Sequence, residues 1–320
     1  MTQGFDRFRH EALIYSGSES FIAGCVPFIR DGLEANEPIL VVESAQRTDL
    51  LRGALGSDAR RVSWLDMSEV GTNPARIIPA WHEFVSRHGA GGTRLRGIGE
   101  PIWKERPADE LIECQRHESL LNVAFGEGRP WWLLCPYDAE ALDPSVIAEA
   151  RRSHEFVMEP SGSSVRSESF RGQDASAAPF DATLPEPTAL SSIVEFDRDN
   201  LLPMRGEVAR QALAFGLGAE RATNLVTAVN EVATNSIVHG GGAGVLRVWR
   251  QHDALVSEVR DRGAHRLPLA DRTKPAAGVR ESCGLWLANQ LCDLVQIRNF
   301  ATGTVIRLHM RPRQHADTRR

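Results

Sequence analysis

No apolar run in this 320-residue sequence approaches the roughly 18 residues of a membrane-spanning helix, so no membrane contact is expected. The opening stretch, MTQGFDRFRHEAL, lacks the apolar core of a signal peptide, and the expected location is the cytoplasm. Cysteines are few and scattered: Cys25, Cys114, Cys135, Cys283 and Cys292 are odd in number and form no C-x-x-C pair. They read as reduced thiols, mostly in the core, and a structural zinc site is not expected. Basic excess is also missing. With 37 Lys+Arg against 42 Asp+Glu the net charge is -5, which removes the electrostatic case for direct nucleic-acid binding. What remains is an ordinary soluble composition, 42% apolar and 25% charged, in a chain long enough for two domains.

The most informative stretch is Leu225 to Gly244, LVTAVNEVATNSIVHGGGAG. On a helical wheel Leu225, Val226, Val229, Val232, Ala233 and Ile237 share one side, with only Ser236 among them. Thr227, Asn230, Glu231, Thr234, Asn235 and His239 fall on the other side, with Ala228 and Val238. Glu231 and Asn235 stand four apart, so their side chains project together. A carboxylate can take a proton from an attacking hydroxyl, and a carboxamide oxygen is a neutral hard ligand for Mg²⁺. On this pair alone a solvated helix face explains the pattern as well. The helix ends in glycines, the usual C-terminal residue.

Two further boxes follow in order. Asp261-x-Gly263 ends an alternating strand, and Gly284-Leu285 opens a helix. Glu231-x-x-x-Asn235, Asp261-x-Gly263 and Gly284-Leu285 together resemble the ATP-binding domain shared by histidine kinases, gyrase, Hsp90 and anti-sigma-factor kinases. NEVATNSIVHGG and CGLWLANQLCD are most similar to the anti-sigma serine kinases, and the resemblance covers about the last third of the chain. It departs in two places: Ser282-Cys-Gly-Leu285 has one glycine where the family has two, and Asp261-Arg-Gly-Ala-His265 lacks the second glycine of Asp-x-Gly-x-Gly. The resemblance implies a Bergerat-type two-layer α/β sandwich that binds ATP and Mg²⁺. Asn235 would hold Mg²⁺ and Glu231 would act as catalytic base. Asp261, Gly263, Gly284, Leu285 and Thr304 would line the nucleotide site. Arg266 to Ser282, polar and aperiodic, would be the lid. The partners it implies are a sigma factor and an anti-anti-sigma (STAS-type) protein, whose serine would be phosphorylated. An ATP-dependent binding module without turnover and a histidine-kinase-like sensor remain alternatives, and self-association as a homodimer stays open.

The first half alternates apolar strands (Ala12–Tyr15, Pro38–Glu43, Val62–Leu65, Leu95–Glu100, Trp131–Cys135) with helical stretches (21–34, 47–55, 74–88, 108–126). This predicts a mainly parallel α/β domain. After the first strand, Tyr15-Ser-Gly-Ser-Glu-Ser lacks the Gly-Lys-Ser/Thr of a phosphate loop, so no nucleotide hydrolysis is expected there. HEALIYSG, FIRDGLEANEPILVV, RGIGEPIW and ECQRHESLLN resemble the MEDS sensory domain, over about residues 8 to 158. That resemblance implies a degenerate RecA/KaiC-like fold that binds a small molecule. Glu100, Trp103 and His117 are candidate pocket residues, since ligands gather at the carboxyl ends of parallel strands. Three His-Glu dipeptides occur, at His10, His117 and His154. His117-Glu118 is not followed closely enough by the ATP domain to serve as a histidine-kinase acceptor, and hydrogen-bonded structural histidines are the ordinary reading.

Residues 159–190 are rich in Ser, Gly, Pro and Ala and read as a flexible linker. The expected layout is thus 1–158 sensory domain, 159–190 linker, 191–312 ATP-binding domain and 313–320 tail. In the second half, strands are expected at Ser191–Phe196, Val245–Arg250, Ala254–Arg260, Leu294–Phe300 and Gly303–Met310. A helix is expected over Leu201–Phe215, giving an antiparallel sheet with helices on one face.

Overall fold

A computed structural model describes residues 6–126, 128–159, 163–172, 180–188, 192–263, 269, 271–275 and 283–313. The chain divides into two compact units, the first ending in sequence at Phe180 and the second starting at Asp181.

The first unit is built on a seven-stranded sheet. Its strands are β1 (Arg9–Tyr15), β2 (Ile39–Glu43), β3 (Ser63–Asp66), β4 (Leu95–Gly99), β5 (Trp131–Asp138), β6 (Phe156–Met158) and β7 (Ser164–Arg166), in the order β3-β2-β4-β5-β1-β6-β7. All neighbours are parallel except β7 on β6. The strands read as near-continuous apolar runs because both faces are covered. They alternate with helices α1 (Gly17–Glu34), α2 (Ala45–Leu55), α3 (Met67–Val70), α4 (Ile77–His88), α5 (Ala108–Phe125) and α6 (Pro144–Ser153). One core joins Leu13, Tyr15, Val41, Ile98 and Leu134 of the sheet to Phe21, Cys25, Ile29 and Leu51 of α1 and α2. The connection from β1 to α1 is the single residue Ser16, at the place where a phosphate loop would lie. The short strands β6 and β7 are additions to the expected set. Arg9 ties them in: its guanidinium lies over Trp132 and Phe156 and donates to Ser164 Oγ at 2.7 Å.

The second unit is a five-stranded antiparallel sheet, β8 (Ser192–Asp197), β9 (Ala243–Gln251), β10 (Ala254–Asp261), β11 (Leu294–Phe300) and β12 (Gly303–Met310), in the order β11-β12-β10-β9-β8. Helices α7 (Leu201–Phe215), α8 (Ala219–His239) and α9 (Cys283–Leu291) pack on it. The buried stripe of α8 includes Leu225, Val229, Val232 and Ala233, as the wheel requires. Ala228, placed on the polar side by the wheel, is fully buried. The reason is tertiary: α8 is packed by α7 and α9 as well as by the sheet.

Alternation along β10 sends Leu255, Val259 and Asp261 toward the helices and Glu258 toward the opposite face. There Arg247, Glu258 and Arg307 stand in direct cross-strand register on β9, β10 and β12. Glu258 is fully buried and accepts from Arg247 (3.2 Å), Arg260 (2.7 Å) and Arg307 (2.6 and 3.0 Å). Residues within the expected linker cover this row. Glu186 accepts from Arg247 and Arg260, Pro185 O from Arg307, and Ala182 O from Arg298. The arginine pair holds the Glu186 carboxyl down at about 2.

Candidate functional site

The C-terminal constellation grows from α8. Glu231 and Asn235 lie on its half-buried face. The second residue of α9, Gly284, sits directly against them. A Cβ at Gly284 would stand 2.9 Å from Asn235 Nδ2 and 3.4 Å from Glu231 Oε2, so any side chain here would push the Asn235 amide aside. The first turn of α9 thus brings amides with no intrahelical acceptor to a carboxylate and a carboxamide, the donor set for a phosphate–metal group. Leu285, the next residue, is 7% exposed and packs in the core, so only its backbone faces that group.

Asp261 ends β10 on the helix side and is 9% exposed. Its Oδ2 accepts from Ser236 Oγ at 2.6 Å and its Oδ1 from the Gly263 amide at 2.8 Å. Each oxygen keeps a further lone pair, so the carboxylate can accept from an exocyclic amino group. Gly263 packs on the end of α8; a Cβ there would lie 2.6 Å from Gly240 Cα and 2.7 Å from His239 O. Thr304, in register with Asp261, donates to Gly263 O at 2.8 Å and so fixes the turn beneath the aspartate. These glycine contacts and the unfilled acceptor capacity of Asp261 fit an adenine nucleotide, with a metal at Asn235. Ser236 belongs to the site although sequence reasoning passed over it; a lone hydroxyl on an apolar stripe was the available signal. Of the expected lid, residues 266–268, 270 and 276–282 lie outside the described residues. Asp271, at its centre, is held by Asn289 Nδ2, which donates to Asp271 O at 3.0 Å.

The N-terminal unit has its own site. The carboxyl ends of β1, β2, β4 and β5 bring Tyr15, Glu43, Glu100 and Asp138 around a cavity of ≈ 450 Å³, which Arg47 and Trp103 also line. Tyr15 Oη donates to Glu100 Oε1 at 2.6 Å and receives Arg47 Nη2 at 2.7 Å. Arg47 also pairs with Asp138 at 3.3 Å and Glu100 at 3.7 Å. Trp103 is held by stacking on the buried Arg106 guanidinium, 4.2 Å away. Glu100 and Trp103 therefore line the cavity. His117 does not: it lines a separate space, too small for a water molecule, with Met67, Trp81 and Leu133. Arg47 and Tyr15 are pocket residues that sequence patterns did not mark.

Burial raises the Glu100 carboxyl to about 7, against the opposing Tyr15 hydrogen bond and the Arg47 charge. Glu43 is also raised, by burial and by Glu100. A carboxyl raised on folding stabilises the native state below its unfolded value and loses that contribution as pH rises through the folded one. Between pH 4.5 and 7 the native state holds the extra proton. Glu100→Gln imitates the protonated acid. It should match the parent chain near pH 5 and exceed its stability at pH 8, the relative slope being up to about 1.4 kcal/mol per pH unit. Parallel denaturation curves for the two proteins across that range would assign Glu100 an ordinary carboxyl.

Comparison with known proteins accounts for both units. Residues 9–155 match the MEDS model, the methanogen/methylotroph, DcmR sensory domain. Residues 194–310 match the histidine kinase-like ATPase domain. No curated protein matches the chain. A solved structure, the RsbU and RsbW domains of Rv1364c from Mycobacterium tuberculosis, aligns at 19% identity and TM-score 0.28 over 38% of this chain; the chain spans about a third of it, 32%. With its parallel sheet at residues 9–155 and its antiparallel sheet and three helices at 194–310, the chain joins a MEDS sensory domain to a histidine kinase-like ATPase domain.

Proposed function

We propose that this protein is a ligand-responsive anti-sigma regulator. Its C-terminal domain binds Mg-ATP and phosphorylates a serine of an anti-anti-sigma partner of STAS type, controlling the availability of a sigma factor. Its N-terminal domain binds a small molecule in the Glu100–Arg47 cavity. The observation that carries the reading is the seat of Gly284 against Glu231 and Asn235. Mg-ATP, when bound, supplies the phosphoryl group and a cation that spreads its charge. Asn235 would hold the metal, the first amides of α9 the phosphates, and Asp261 the adenine amino group. Glu231 accepts the serine proton and orients the hydroxyl for in-line attack.

The test is phosphotransfer from labelled ATP to candidate anti-anti-sigma proteins, with a pull-down of sigma factors run with and without ATP. Acid-stable phosphoserine is the expected product. Acid-labile phosphohistidine would mark a histidine kinase, and ATP-dependent capture without transfer would mark a pure binding module. Asp261→Asn keeps the shape of the side chain but loses one anionic acceptor. ATP affinity should fall by about 1.5–3 kcal/mol, the worth of a hydrogen bond to a charged group. Calorimetry giving an unaltered affinity would remove Asp261 from the nucleotide site.

A further inference from the structure

Two of the three His-Glu dipeptides give up their histidine, and the third its glutamate, to one point inside the N-terminal unit. His10 comes from β1, Glu118 from α5, Cys135 from β5, and His154 follows α6. All four are buried, with their potential ligand atoms within 4.8 Å of one another. His10 Nε2 lies 3.3 Å and His154 Nε2 3.2 Å from Glu118 Oε2, and Cys135 Sγ lies 3.4 Å from His10 Nε2. Bonds of roughly 2.0–2.3 Å to a tetrahedral zinc ion set ligand–ligand edges of about 3.3–3.7 Å; these three separations lie close to that range, and the remaining edges are within 4.8 Å.

The surrounding hydrogen bonds fix the ring tautomers. His154 Nδ1 is 2.8 Å from Ala150 O, which can only accept, so Nδ1 carries the proton. Asn122 Nδ2 donates to Ser153 O at 2.7 Å, which turns Asn122 Oδ1 toward His10 Nδ1 at 3.2 Å. Both Nε2 lone pairs therefore face one carboxylate oxygen, an arrangement that repels without a cation between them. A single shared proton satisfies only one of the two nitrogens. Two imidazolium rings would be confined at a centroid separation of 3.9 Å. Neither Glu118 oxygen has a well-formed hydrogen bond, the Cys135 thiol and the Tyr137 hydroxyl lie beside the carboxylate, and among the described residues no lysine or arginine pairs with Glu118. Outer partners on Nδ1 are the usual means of aiming metal-bound histidines.

We propose that His10, Glu118, Cys135 and His154 close around one divalent ion of the zinc class, forming a structural four-ligand site in the core of the MEDS domain. On binding, the Cys135 thiol releases its proton to solvent. Thiolate and carboxylate then cancel the 2+ charge, so the closed site is neutral, as burial demands. The neighbouring space along Glu118 and Cys135 admits no water molecule, and the site has no open position for hydrolysis. C-x-x-C spacing gave no hint of it because the ligands come from four separate elements.

The full-length chain, purified from zinc-supplemented culture, should contain about one zinc per chain by plasma emission, as a closed four-ligand site requires. Produced in Co²⁺, it should show thiolate-to-cobalt charge transfer in the near ultraviolet and the intense visible bands of tetrahedral cobalt. Cys135→Ser should lose the charge-transfer band, while Cys114→Ser, at another buried thiol, should keep it. A folded parent chain without zinc that gains no cobalt bands on refolding in Co²⁺ overturns the proposal. So does a charge-transfer band that survives Cys135→Ser. Should Cys135→Ser not fold, the parent spectrum decides alone.

Discussion

Glu231→Gln is expected to bind Mg-ATP and hold its protein partner as the parent chain does, yet to transfer phosphate at least ~10²-fold more slowly, the usual worth of a positioned general base. The amide keeps the length and hydrogen-bonding reach of the glutamate but cannot accept a proton at neutral pH. Its place beside Gly284 is unchanged, so the loss should fall on turnover rather than on affinity. Asn235→Ala is the complementary change: the proposed metal ligand goes, and Mg²⁺-dependent nucleotide binding should fall with it. If the parent chain transfers phosphate and Glu231→Gln does so undiminished, the base lies elsewhere. If neither substitution alters binding or transfer, this face of α8 is only a solvated helix surface.

Glu258→Ala should destabilise the C-terminal domain by about 3–5 kcal/mol, the cost of removing one partner from a buried charge network. Glu186 still balances Arg247 and Arg260 in the variant. Arg307, 3% exposed, is left with Pro185 O and the face of Trp249 as its partners. The charge it keeps is buried and uncompensated. Chemical denaturation followed through the C-terminal transition measures the loss, and a change under 1 kcal/mol would mean that solvent reaches the row. Glu258→Gln should cost less, since an amide oxygen can still accept from one arginine.

The sequence signals that succeeded were local and periodic. Helix α7 runs over Leu201–Phe215, as its pattern predicts; Gly284 lies against Glu231 and Asn235, and Asp261 lies against Ser236, Gly240 and Gly263 at the end of the same helix α8. What escaped depends on which strands become neighbours. His10, His117 and His154 look alike in sequence, each followed by glutamate, but strand order sends two of them to Glu118 and leaves the third beside Trp81. Arg47 and Tyr15 meet only because β1 and β2 end on the same edge of the sheet as β4 and β5. Strands β6 and β7 span three residues each, too few for an alternation to register. Glu186 sits in a proline-rich stretch whose composition says nothing of the arginine row it covers.

The central position of β1 has a consequence for synthesis. It is the first strand made, but its two partners, β5 and β6, are the last parallel strands of the unit. At translation rates of about 5–20 residues per second, β1 leaves the ribosome roughly six to twenty-five seconds before β5, and β6 follows about one to five seconds later. Until β5 emerges both its hydrogen-bonding edges are open, and its residues RHEALIY are mostly apolar. Nascent chains halted near residue 130 should therefore be protease-sensitive and held by chaperones. Those extended past residue 166 can insert β1 between its neighbours and complete the sheet in one cooperative step.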